Sequence, residues 1–176
     1  MSQLSALSLS IGILGAVWAF LALGPLSGFV LVWAGFIAWG CYFHSGANSN
    51  ALTKTITGTI YGAIIGWIAL LIIVNVSVPA LGVIWPAIVV EVTVFFLVIV
   101  ASMNLLSIVP ANVYGYAAIV AYALQTTPAA PATGPLQNLT SGSFANPLVL
   151  VVVSLVIGAL FGYASNQLSS ALAKKV

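Results

Sequence analysis

Ile84-Trp85-Pro86-Ala87-Ile88-Val89-Val90-Glu91-Val92-Thr93-Val94-Phe95-Phe96 is an apolar run carrying one carboxylate and one hydroxyl. Extended outward to residues 81–103, it exceeds the roughly 20 residues that a helix needs to cross a bilayer. It lacks the polar stripe that a water-facing helix needs. A carboxylate at mid-bilayer depth costs about 2.5 kcal/mol or more, so Glu91 is expected to turn toward a bundle interior or a cavity. The stretch therefore predicts an all-α polytopic membrane protein with a polar group held between helices.

The rest of the chain agrees. Of 176 residues, 62% are apolar, and the formal charges are three lysines and one glutamate, 2% of the chain. Soluble domains carry about a quarter charged residues. That contrast excludes a soluble enzyme, a nucleic-acid binder and a disordered chain, and leaves lipid or other protein to cover most of the surface. One cysteine (Cys41) and one histidine (His44) permit no disulfide within the chain and no Cys/His metal cluster. There is no aspartate for a Ser-His-Asp triad and no phosphate-cradling glycine motif. No cofactor, metal or catalysis is expected, and a net charge of +2 points to no polyanionic partner.

Apolar runs and their punctuation divide the chain into six segments, which predict six transmembrane helices. They cover residues 4–23, 26–43, 54–76, 81–103, 106–124 and 147–164, with Pro110 near the start of the fifth. Residues 125–146 form an uncharged outer connection rich in Pro, Thr, Ser and Gly. Six crossings place both termini on one side. With cytoplasmic termini, Lys54, Lys174 and Lys175 all lie inside, as the positive-inside rule expects. The chain thus reads as one multi-pass domain of the inner or plasma membrane, its first segment retained rather than cleaved.

Two segments share a pattern. Gly62-Ala63-Ile64-Ile65-Gly66-Trp67 matches Gly158-Ala159-Leu160-Phe161-Gly162-Tyr163, and one turn earlier Gly58 matches Ser154. The second and fifth segments align through Gly35, Ala38 and Tyr42 against Gly115, Ala118 and Tyr122. Three helices repeated once insert the second copy upside down. The expected plan is therefore a 3+3 inverted repeat, residues 1–76 and 77–176. Gly58, Gly62, Gly66, Ser154, Gly158 and Gly162 are the expected helix-packing stripes, because small residues let backbones approach closely in lipid.

Candidate polar positions are few. Glu91 is either neutral and hydrogen-bonded, with Thr93 close by, or ionised in a wet path; the alternative is a polar contact pinning its helix to a neighbour or to another chain. The fifth segment mixes Ser107, Pro110, Asn112, Gly115 and Tyr116. A proline inside a membrane helix frees a carbonyl that a side chain or water must meet, and Asn112 offers both donor and acceptor to a solute. Trp33 and Trp39 are the expected aromatic pair of a slot.

The stretches Trp33-Ala34-Gly35-Phe36-Ile37-Ala38-Trp39-Gly40, Gly62 to Trp67, Val109-Pro110-Ala111 before Gly115, and Gly158 to Gly162 resemble a family of small prokaryotic inner-membrane proteins. That family is known only as a domain of unknown function (number 1097). The resemblance implies a compact polytopic protein and no activity. In size and helix count the chain is also similar to six-helix urea and amide channels, which oligomerise, although no site motif of theirs is matched. Two functions follow as expectations: a channel or transporter for a small polar solute of the urea, amide or ammonia class, or a non-transporting subunit of a larger membrane complex. The expected partners are the bilayer and either further copies of the chain or that complex.

Overall fold

Asn48 starts the longest helix: its side chain accepts the Ala51 N–H, and the helix then runs unbroken from Ser49 to Asn75. Ser2 does the same for the first helix by accepting from Ser5, and Asn146 for the last by accepting from Leu148 ahead of a proline in the first turn. The structure, a computed structural model, describes residues 1–125 and 134–173. Six α-helices order the chain: α1 (Gln3–Leu23), α2 (Val32–His44), α3 (Ser49–Asn75), α4 (Ile84–Ile99), α5 (Val109–Gln125) and α6 (Pro147–Leu172). Short 3-10 turns flank α4 and precede α5 and α6, and no strand occurs among the described residues.

The described residues are all-helical in their regular structure, and among them four helices are long and apolar enough to cross a membrane: α1, α3, α4 with its 3-10 extension to Ser102, and α6. The other two are short. At 1.5 Å per residue α2 measures about 20 Å and α5 about 26 Å, against about 30 Å of hydrocarbon. Expected boundaries shift accordingly. The second segment becomes helical only at Val32, after a turn in which Gly28 sits at φ 84°. The sixth continues through Ser165, Asn166 and Ser169 to Leu172, because Ser165 and Ser169 are buried against other helices. Pro110 falls in the first turn of α5, where its missing N–H costs nothing, so it frees no carbonyl in the helix interior. Residues 126–133 of the polar connection, and Lys174 and Lys175, lie outside the described residues.

Two crossings carry the bundle. α3 packs most extensively on α5, and α6 on α2; α3 and α6 also touch each other, with α4 flanking α3 and α1 flanking α6. Both crossings are glycine contacts. A Cβ on Gly62 would stand 1.8 Å from the Asn112 carbonyl oxygen, and one on Gly115 would stand 2.0 Å from that of Thr59. A Cβ on Gly158 would stand 2.0 Å from the Gly35 carbonyl oxygen. One turn to either side the rungs recur: Gly58 lies on Ala111 as Ser154 lies on Leu31, and Gly66 on Ile119 as Gly162 on Trp39. Gly58, Gly62 and Gly66 of α3 thus face α5, and Ser154, Gly158 and Gly162 of α6 face α2. The cores follow from this, one around Ala118, Ile119, Val151 and Leu155, another around Trp18 and Trp39.

Candidate functional site

Asn112 is fully buried where α5 leaves its irregular lead-in. Its amide nitrogen donates to the Leu97 carbonyl at 3.3 Å and the Leu106 carbonyl at 3.0 Å. The backbone between α4 and α5 turns through two 3-10 segments, leaving carbonyls with no helical partner. In an apolar surround such groups cost several kcal/mol each unless paired. Thr57 takes another of them by donating to Leu105 at 2.6 Å, and Lys54 Nζ donates to Ser107 Oγ at 3.0 Å. Asn112 and Ser107 therefore wire this connection to α3 and α4, and neither faces an open path within the chain.

The other irregular lead-in, before α2, is met in the same way. Ser154 Oγ accepts the Leu31 N–H at 2.8 Å while donating to Leu150, and the Trp18 indole donates to the Val32 carbonyl at 3.0 Å. Ser154, expected only as a small packing residue, supplies the hydrogen bond that lets non-helical backbone sit against α6. Nothing in the spacing of the sequence shows which backbone group lies opposite its hydroxyl.

Thr93 and Tyr116 meet, their hydroxyls 3.1 Å apart in the α4–α5 contact. Tyr116 also lines a pocket of about 300 Å³ whose other lining side chains are apolar, among them Leu70, Ile73, Val90 and Val120. Trp39 is buried, its indole donating to Ser165 Oγ at 3.1 Å, whereas Trp33 is 39% exposed on another face of α2. The two tryptophans do not form a pair, because six residues along a helix turn them apart. Trp33 instead heads an open groove of about 660 Å³ between the two short helices, which continues past Ile37 and Cys41 to His44, with Tyr114 and Ala118 on the α5 side.

Glu91 corrects the central expectation. α4 buries only Val89, Thr93 and Leu97, a stripe at i+4 spacing, and Glu91 lies outside it. Its side chain is exposed and borders a shallow groove with Val94, Phe95, Val98 and Ile99. No hydrogen bond or ion pair reaches its carboxyl group from any described residue, and Glu91 faces outward rather than into the bundle.

Among the described residues no three His, Cys, Asp or Glu side chains gather as a metal would require. No curated protein and no solved structure matches the chain. A family model does match, over residues 8–170, and through it the chain belongs to the family described as protein of unknown function (DUF1097).

Proposed function

We propose that the chain is a six-crossing 3+3 inverted repeat that passes a small neutral polar solute, of the urea, amide or ammonia class, at the seam between its halves. The observation that carries the proposal is the pair of broken segments. Each half has a short second helix, α2 or α5, entered through irregular backbone, and in each half a polar side chain from a neighbouring helix completes the hydrogen bonds of that entry. Corresponding short or interrupted segments in two inverted halves are where transporters of this plan place their path. The matched glycine rungs of the α3–α5 and α2–α6 crossings support the same plan.

Both short helices border the groove from Trp33 to His44. The groove's lining is mostly apolar, with Trp33, Cys41, His44 and Tyr114 as the side chains able to hydrogen-bond and no carboxylate or lysine, which suits a small neutral solute. On this plan α2 and α5 cross with their lead-ins, and both termini lie with Lys54 on the cytoplasmic side. The test is solute-driven swelling of proteoliposomes with urea and with acetamide. Wild type should swell faster than protein-free vesicles, and Gly40→Trp should abolish the difference, since a Cβ at Gly40 meets nothing within 4 Å and a ring there fills the groove without disturbing the fold. No permeation by wild type overturns the proposal.

A second function, a non-transporting subunit of a larger complex, is favoured by the exposed Glu91 alone. Recovery of the chain at fixed stoichiometry with unrelated membrane subunits, combined with silent liposomes, would put it first.

A further inference from the structure

We propose that α4 is a self-association helix, and that two copies of the chain pack α4 on α4 with their Glu91 carboxyl groups hydrogen-bonded to each other. The proposal needs only insertion in a membrane and is independent of any solute path.

The open face of α4 presents Glu91, Val94, Phe95, Val98 and Ile99, positions separated by three and four residues that form one stripe along the helix. Phe95 is 58% exposed and Ile99 55%, so the stripe is bare in the single chain. Glu91 lies seven residues from the first residue of α4 and eight from the last, which puts it about 10–12 Å from either end at 1.5 Å per residue. A carboxyl group at that depth has no water and no partner from its own chain. Acyl tails offer it neither donor nor acceptor, so protein must meet it.

A second copy meets it without any further residue. Copies inserted in the same orientation are related by an axis along the membrane normal, so equivalent residues lie at equal depth. Two α4 helices brought together on this stripe therefore run parallel and bring Glu91 opposite Glu91. A protonated carboxyl group is one donor and at least one acceptor, so a pair satisfies itself with two hydrogen bonds. Val94, Phe95, Val98 and Ile99 supply the packing on either side, in the manner of a parallel seam. No lysine or arginine lies within α4 or the helices flanking it at that depth to compete for the carboxyl group. The same geometry tolerates an amide, which also donates and accepts, and rejects a cation facing its own copy.

The experiment uses the full chain with Cys41→Ala, so that single cysteines can be placed. In proteoliposomes, Val98→Cys should form a disulfide-linked dimer under mild oxidation at least 10-fold more than Val17→Cys, which is exposed on α1. In the native sequence, subunit counting at decreasing protein-to-lipid ratio should give dimers for wild type and Glu91→Gln, and a dissociation constant raised at least 10-fold for Glu91→Lys. Should Glu91→Lys fail to insert, Val98→Arg, about two turns further along the stripe and nearer the helix end, takes its place. Equal cross-linking from α4 and α1, or wild-type chains that stay monomeric at every ratio, overturns the proposal. Monomers that still conduct solute would sink it while leaving the transport function intact, and silent dimers would do the reverse.

Discussion

The α3–α5 and α2–α6 crossings solve one packing problem with different side chains. Each brings two backbones into contact through glycine, Gly62 with Gly115 on one side and Gly158 with Gly35 on the other. Around the first, the surroundings are polar: Thr55, Thr59 and Asn112 are all buried. Around the second they are aromatic, with the Trp18 ring backing Gly35 and Trp39 and Tyr42 lying against Gly162. The difference follows from what each crossing must hold. The α4–α5 connection exposes carbonyls that need donors, which Asn112 and Thr57 provide. The α1–α2 connection presents an N–H that needs one acceptor, which Ser154 provides, and rings can fill the remaining space.

The comparison breaks most severely at the glycines. Gly62→Ala and Gly158→Ala should each cost about 3 kcal/mol or fail to fold, because the new methyl meets backbone rather than a movable side chain. Near-equal losses in detergent unfolding would mark the crossings as equivalents, and a loss at one alone would not. Asn112→Leu should come next, at about 2–3 kcal/mol, since it strands two carbonyls and changes little volume. Ser154→Ala should cost less, about 1–2 kcal/mol, because one N–H loses its acceptor; exchange of the Leu31 amide, followed by NMR, should quicken with it. At the small end, Gly12→Ala and Gly40→Ala should be neutral or stabilising by up to about 1 kcal/mol, because nothing lies within 4 Å of either new methyl and alanine is the better helix former.

Much of the helical layout was legible because its signals are local. Apolar run length marked α1, α3, α4 and α6, and the i+4 small residues marked the faces on which α3 and α6 are packed. The boundaries of α2 and α5 were not legible. Residues 26–31 and 106–108 read as helix in the sequence, and the tertiary hydrogen bonds from Ser154, Thr57 and Asn112 make irregular backbone tolerable at these entries. Which of the two readings of Glu91 holds, an inward group or a contact to another chain, was not legible for a related reason. Its cost in lipid says that something must meet it, and a single sequence gives no sign whether that partner is in the same chain.

By itself, the amino-acid sequence determined the class of chain: with four formal charges it cannot clothe itself in water-facing side chains, and its composition is compatible with a membrane protein. It also determined which residues are small enough for helices to touch. The tertiary structure decided which helix each small face meets, which polar groups complete the broken segments, and that the lone carboxylate looks outward. Those are relations between residues distant along the chain, fixed by how rods of unequal length pack side by side, and no local pattern encodes them.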